Sequence, residues 1–116
     1  MYLSIDPGSA TPLFEQLVAG IRAQVIDGTL VPGERLPAAR DLGDSLDVNV
    51  HTVLRAYQVL RDEGFLDLRR GRGAVVAARR GDYAQLARDI ERVVAEARSL
   101  DLSPSALTAL IRKAYE

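Results

Sequence analysis

The fold is decided by residues 37–64, PAARDLGDSLDVNVHTVLRAYQVLRDEG, which carry two helical patterns separated by a three-residue turn. In the first helix, Gly43 is expected to weaken the helix slightly. Asn49 is a favourable N-cap for the second helix, which is expected to run to about Glu63. The apolar face of that second helix has helical spacing and consists of Val53, Ala56, Tyr57 and Leu60. Two helices joined by so short a turn predict a helix-turn-helix.

A β-hairpin is predicted directly after this motif. Residues 65–70 and 74–77 read as extended segments, and they flank the glycine-rich turn 71–73. A hairpin in this position is a wing, so the predicted fold class is mostly α with a small β-wing, a winged helix-turn-helix. Five arginines and no acidic residue lie between positions 69 and 80, namely Arg69, Arg70, Arg72, Arg79 and Arg80. Residues 79–81 are predicted to form a joint.

A further helix is predicted before the motif. Thr11 is expected to cap it with Pro12 at its first position, and Gly28 is expected to end it. Residues 2–6 are expected to form a short strand or an extended arm, and residues 30–36 a connector. The apolar positions with helical spacing are Phe14, Leu17, Val18, Ile21 and Val25.

Two helices are predicted after the wing, over about residues 82–99 and from Ser103 onwards. The apolar residues of the first helix have coiled-coil-like spacing. Together with the apolar residues of the second helix they predict a homodimer interface, as against packing on the chain's own domain. These residues are Leu86, Ile90, Val93, Val94, Ala97, Leu107, Leu110 and Ile111. The predicted domains are therefore a winged helix-turn-helix over residues 1–79 and a short helical dimerisation region over residues 80–116.

Composition excludes several classes of site. The chain of 116 residues has no cysteine, so it has no disulfide and no cysteine-based zinc site. His51 is the single histidine, and a lone histidine makes neither a metal site nor a catalytic triad. No nucleophile–base pair and no phosphate loop is present, so we expect neither enzymatic activity nor a cofactor. With no basic leader and no long apolar run, the chain is expected to be cytoplasmic, without membrane contact.

Several motifs together resemble the GntR family of transcription regulators. They are PLFEQL at 12–17, GTLVPGERLP at 28–37, Arg40 with Leu42, NVHTV at 49–53, and the segment 63–73 with its EGF and RGRG motifs. The resemblance covers about residues 10–78 in the family's order and spacing. Residues 79–116 resemble the two-helix tail of the YtrA subfamily. This resemblance implies a transcription regulator, a repressor in our interpretation, that binds an inverted-repeat operator in double-stranded DNA as a homodimer.

The candidate DNA-binding residues follow from this interpretation. The amino end of the third helix is expected to enter the major groove, and the glycine-flanked Arg72 is expected to approach the minor groove. The resemblance assigns Arg40 to base or phosphate recognition and adds Arg35 as a phosphate contact. The full candidate set is Arg35, Arg40, Asn49, Val50, His51, Thr52, Arg55, Arg70, Gly71, Arg72 and Gly73. Val50 and Leu54 depart from the arginine or polar residues that many relatives carry there.

Other interpretations remain open on sequence alone. The arginines of residues 69–80 also fit a solvated charge run, His51 an incidental surface residue, and Arg40 a pairing with Asp44. Residues 1–80 hold ten basic and ten acidic residues. That balance keeps a second hypothesis, a winged helix for protein–protein contact without DNA binding. A small-molecule effector is neither predicted nor excluded.

Overall fold

A computed structural model describes residues 1–78 and 81–116. The chain separates into two compact units, Met1–Gly81 and Asp82–Glu116. The predicted boundary after residue 79 and the two arginines of the predicted joint, Arg79 and Arg80, lie outside the described residues. The elements are α1 Leu13–Asp27, α2 Ala39–Leu46, α3 Val50–Asp62, β1 Leu66–Arg69, β2 Gly73–Val76, α4 Ala84–Ser99 and α5 Pro104–Ala114. The predicted mostly helical fold with a small β-wing and C-terminal helices is confirmed.

One hydrophobic core holds the first unit together. The buried faces of α1 and α3 meet in it, and the hairpin covers it through Leu66, Ala74 and Val76. The largest fully buried side chains are Leu17, Ile21, Leu30, Val53, Leu60 and Leu66. The predicted apolar face of α3 is thus fully buried. In the described parts of both units, no helix has the length and apolar character needed to cross a membrane.

The start of α1 differs from the prediction. Pro12 is the N-cap, with an extended ψ of 146°, and no side chain caps the helix. Thr11 therefore lies one residue too early to act as the cap, and that prediction is wrong. Gln16 fastens the preceding segment instead: its Nε2 donates to the carbonyls of Thr11 at 2.8 Å and Asp6 at 2.9 Å. Gly28, with φ of 87°, ends α1 as predicted.

The amino-terminal arm packs along α1. Residues 2–6 form no strand, and Leu3 and Ile5 lie against the core. The Gln16 Oε1 accepts a hydrogen bond from the Asp6 amide at 2.7 Å. The Gln24 side-chain amide donates to the carbonyl of Tyr2. The arm is therefore held by two glutamines of α1 together with its own apolar residues.

The turn between α2 and α3 is tightly specified. Asp47 ends α2 in the left-handed region, with φ of 56°. The Val48 amide donates to the Gly43 carbonyl at 2.8 Å. The Asn49 side chain accepts from the His51 amide at 2.8 Å, which confirms the predicted N-cap of α3. These bonds fix the angle at which α3 leaves the turn.

Gly43 has a structural role that its low helix propensity conceals. A Cβ added at Gly43 would lie 2.6 Å from the carbonyl oxygen of Val48, a backbone atom. The absence of a side chain lets α2 approach the turn this closely. Sequence alone predicts Gly43 only as a weak point in the helix, because the contact with Val48 depends on the fold and not on helix propensity.

We expect Gly43→Ala to lower the free energy of unfolding by about 1–3 kcal/mol, because the added methyl group forces the turn to move. Urea denaturation followed by circular dichroism measures this. Ser45→Ala is the matched control, since Ser45 is exposed on the same helix. Helix propensity alone predicts the opposite sign for Gly43→Ala, a gain of about 1 kcal/mol. An observed gain would contradict the close approach.

The wing contains a third extended segment that the sequence analysis missed. β1 and β2 pair antiparallel, with Leu66 opposite Val76 and Arg69 opposite Gly73. Residues 33–36, predicted as plain connector, run along the other side of β2. The amide of Leu36 donates to the Ala74 carbonyl at 2.9 Å, and the Val76 amide to the Glu34 carbonyl at 2.8 Å. The hairpin is therefore bonded to the chain that leads into α2.

The second unit is a pair of helices joined by a short turn. Ala97 is its buried residue, and the Leu102 amide donates to the Ala97 carbonyl at 2.9 Å. Ser103 caps α5 by accepting from the Ala106 amide at 3.1 Å, and Pro104 begins that helix as predicted. Much of the apolar surface of this unit is left uncovered.

Candidate nucleic-acid interface

The amino end of α3 is presented to solvent while its opposite face is buried. Asn49 and His51 are exposed, and Val50 and Thr52 are half-buried. No acidic residue lies in the first turn of α3, so nothing there opposes the partial positive charge of the helix amino end. A hydroxyl, an imidazole and an apolar side chain are thus held at the positive end of the helix. This combination suits contact with phosphates and base edges.

The tip of the wing is a compact basic turn. Gly71 and Gly73 have φ of 80° and 70°, conformations in which a side chain would be strained. Arg69 has a long ion pair with Asp67, 3.6 Å between Nη2 and Oδ2. Within the part of the chain that the structure describes, no carboxylate forms an ion pair with Arg70 or Arg72. Both guanidinium groups are therefore available to an external anion.

One cleft is bordered by the start of α2, the middle of α3 and the wing. It has a volume of about 390 Å³. The residues from α3 include Leu54 and Tyr57, and those from the wing include Arg69 and Arg70. The Tyr57 hydroxyl donates to the Pro37 carbonyl at 2.6 Å, and burial raises the pKa of Tyr57 so that it stays a donor. The recognition-type helix and the basic wing hence flank a common surface.

Arg35 lies at the wing tip. Its Nε donates to the carbonyl of Arg72 at 2.7 Å, and its Nη2 donates to the carbonyl of Gly71 at 3.2 Å. Arg35 is predicted from sequence as a phosphate contact, and these bonds to the wing tip are an additional finding. Arg35 is separated from Arg72 by 37 residues, and no periodic pattern signals a contact over that distance.

Arg40 and Arg55 have different surroundings. Arg40 is exposed on the first turn of α2, and no ion pair joins it to Asp44 in the structure. The guanidinium carbon of Arg55 lies 4.2 Å from the centre of the Phe14 ring, on α1. Such stacking restricts the guanidinium while leaving its edge free to donate hydrogen bonds. Phe14 was predicted only as an apolar position of α1.

Two of the acidic residues near the motif are held at the far end of α3. Glu63 forms an ion pair with Arg22 of α1 at 2.7 Å, and Asp62 pairs with Arg61 at 3.1 Å. At 1.5 Å per residue, these carboxylates follow the amino end of α3 by roughly 20 Å. They therefore do not oppose an anion bound at that end. Asp41 and Asp44 are exposed on α2.

The predicted dimer-contact residues of the second unit fall into two groups. Ala97 is 6% exposed, so it has little surface left to offer a partner. Val94 and Leu107 are half-buried. The remaining predicted residues are exposed, namely Leu86, Ile90, Val93, Leu110 and Ile111. The structure thus leaves five of the eight predicted residues as uncovered apolar surface, and Ala97 belongs to the unit's own interior.

A metal site finds no support in the described residues. No group of three or more histidine, cysteine, aspartate or glutamate side chains converges within residues 1–78 and 81–116.

Curated transcription regulators are similar to this chain. The repressor YtrA of Bacillus subtilis, named an HTH-type transcriptional repressor, is 36% identical over 75 residues, which are 65% of this chain and 58% of YtrA. The chain thus spans somewhat more than half of that relative. The HTH-type transcriptional regulator Rv1152 of Mycobacterium tuberculosis is 37% identical over 108 residues, covering 90% of this chain and 86% of Rv1152.

Solved structures resemble the chain as well. YtrA from Sulfolobus acidocaldarius, a GntR-family transcription factor, superposes with a TM-score of 0.62 at 31% identity, covering 97% of this chain and 96% of that one. The DNA-binding domain of AraR, solved in complex with operator ORX1, gives a TM-score of 0.57 at 27% identity, covering 65% of this chain and 93% of that domain.

A model of a bacterial protein family also matches this chain. The model of the bacterial regulatory proteins of the gntR family matches residues 13–76, which run from the first residue of α1 to the last residue of β2. The matched stretch contains the helix-turn-helix and the wing, which are the parts that border the cleft. This chain belongs to the GntR family of bacterial regulatory proteins.

Proposed function

We propose that this chain is a sequence-specific DNA-binding transcription regulator that acts as a repressor in the cytoplasm. One observation carries the proposal: the exposed amino end of α3 and the unpaired arginines of the wing belong to elements that border a common cleft. The operator complex of the AraR domain and the printed repressor name of Bacillus subtilis YtrA support it.

In the proposed complex, α3 enters the major groove with its amino end leading. The groove is about 12 Å wide and accommodates one helix. Thr52 offers a hydroxyl or a methyl group, His51 donates to guanine or phosphate, and Val50 contacts a thymine methyl. Asn49 orients the helix through its cap. Arg40 and Arg55 contact the duplex on either side of this end.

The wing tip lies in or over the minor groove in the same proposal. Gly71 and Gly73 let the backbone approach closely, and Arg72 enters a region of strong negative potential. Arg70 contacts the adjacent phosphates. Arginine suits this environment better than lysine does, because a guanidinium group is more weakly hydrated than an ammonium group.

We further propose that residues 80–116 make the regulator a homodimer. The support is the uncovered apolar surface of α4 and α5, on which Ile90 and Ile111 are 53% and 48% exposed. A two-fold dimer would bind an inverted repeat whose half-sites are centred roughly 34 Å apart, one helical turn of DNA.

Binding to DNA from the chain's own promoter region, measured against salt concentration, tests the proposal. We expect the logarithm of the association constant to fall with the logarithm of salt, with a slope of about −0.9 per phosphate neutralised. A flat response, or no preference for any promoter fragment over random DNA, would instead favour a winged helix that binds protein.

Arg72→Ala is expected to reduce affinity for the operator by about 5- to 100-fold and to make the salt slope shallower by about 0.9. The reason is the loss of one guanidinium from the minor groove. Arg61→Ala is the matched control, because it removes the same charge at the other end of α3, where Arg61 pairs with Asp62. Unchanged affinity for the Arg72 variant, or an equal loss for the Arg61 variant, would remove the wing from the interface.

A further inference from the structure

The wing tip is supported from outside the hairpin. Arg35 belongs to residues 33–36, which are bonded along β2, and its backbone pairs with Val75. From this fixed base the side chain extends to the turn and donates to the carbonyls of Gly71 and Arg72, at 3.2 Å and 2.7 Å. In the backbone of the turn, the Arg72 amide donates to the Arg69 carbonyl at 3.1 Å, and Arg69 pairs with Gly73 across the hairpin.

The turn needs such support because of its composition. Gly71 and Gly73 both have positive φ, and glycine has the widest choice of backbone conformations. A turn with two glycines samples many conformations unless other groups hold it. Hydrogen bonds from a charged donor are roughly twice as strong as those between neutral groups. Two such bonds, to the carbonyls of Gly71 and Arg72, restrict the peptide planes on either side of the Arg72 Cα.

The charges at the wing tip also favour a supporting role for Arg35. Carbonyl oxygens carry partial negative charge, and an uncompensated pair of them at the tip would oppose an approaching phosphate. The guanidinium of Arg35 covers both oxygens and leaves the tip with the positive charges of Arg70 and Arg72. A guanidinium has five N–H donors in a fixed plane, so two of them suffice for this contact.

We propose that Arg35 is a positioning residue that fixes the wing tip before DNA arrives, so that Arg72 enters the groove without an ordering cost. This inference rests on the proposed DNA-binding function. It replaces the assignment of Arg35 to phosphate: Arg35 acts on affinity through Arg72. Pre-organisation of this kind strengthens binding by reducing the entropy lost on association.

The free protein provides the first test, which does not depend on DNA. Heteronuclear ¹⁵N NOE values at residues 70–73 are expected to fall in Arg35→Ala and Arg35→Lys, because lysine lacks the planar fork that reaches both carbonyls. Arg70→Ala removes the same charge from the turn but no bond to the carbonyls, so it should leave these values unchanged. NOE values unaffected by Arg35→Ala, or lowered equally by Arg70→Ala, would overturn the proposal.

A double-mutant cycle on the operator provides the second test. Arg35→Ala is expected to weaken binding by about tenfold in the native background and by less than about twofold in the Arg72→Ala background, since coupled residues are not additive. An equal loss in both backgrounds would make Arg35 an independent DNA contact and overturn the inference. If no variant and no parent binds DNA, the proposed function fails, while the NOE measurement still decides whether Arg35 orders the turn.

Discussion

Replacing Ile90 by glutamate is expected to turn the proposed dimer into a monomer and to lower its operator affinity by about a hundredfold or more, because bivalent attachment contributes 10²–10⁴. Ile90 is 53% exposed on α4, and it lies with Leu86 and Val93 on one apolar stripe. A carboxylate in the middle of that stripe would have to be desolvated without a partner, which is strongly unfavourable. The two DNA-binding domains would then bind their half-sites independently.

Arg88→Gln is the matched control for this experiment. It lowers the net charge by one, as Ile90→Glu does, but Arg88 lies on the opposite side of the same helix, about 160° around the axis from Ile90. Sedimentation velocity gives the oligomeric state, and a binding titration on the operator gives the affinity. An Ile90→Glu variant that still sediments as a dimer would show that α4 does not form the interface through this stripe.

Leu60→Ala is expected to lower the free energy of unfolding by about 2–5 kcal/mol, the usual result of deleting a fully buried leucine side chain. Leu60 has 0% exposure and lies in the core that α3 shares with α1. For a domain of this size, each kcal/mol lowers the melting temperature by about 4–8 °C. Most of the stability of a small domain, which totals about 5–15 kcal/mol, depends on a few such residues.

Leu54→Ala is the control, because it makes the same chemical change on the same helix. Leu54 is 42% exposed and lines the cleft beside the wing. Its removal is expected to cost less than about 1 kcal/mol, since much less apolar area leaves contact with protein. Thermal and urea unfolding followed by circular dichroism measure both variants. Equal destabilisation by the two changes would mean that α3 is not buried on the face that the structure gives it.

The helices and the hairpin were predictable from sequence because their signals are local. The spacing of Val53, Ala56, Tyr57 and Leu60 defines one helical face, and all four are buried. Asn49 predicted the start of α3, because its side chain bonds to the amide of His51, only two residues further along the chain. Periodicity and capping depend on neighbours within one or two turns, and such patterns survive in the folded chain.

The features that were missed depend on residues far apart in sequence. The bonding of residues 33–36 along β2 connects segments about forty residues apart. The contact of Arg35 with the wing tip has a separation of 37 residues. The role of Gly43 could not be predicted for the same reason. It allows a close approach to the Val48 carbonyl, and that approach exists only after the turn has formed. Ala97 fits the apolar stripe of α4, yet it is buried within its own unit. The proposed DNA-contact residues themselves remain predictions.

The bonding of residues 33–36 to β2 has a mechanical consequence. A two-stranded hairpin is marginally stable alone. Here β2 is also hydrogen-bonded to residues 33–36, which lead into α2. A displacement of the wing therefore also pulls on the segment that leads into the helix-turn-helix, and the hairpin does not move alone. The wing and α2 are expected to open and close as one cooperative unit, so a force on the wing reaches the element that supports the amino end of α3.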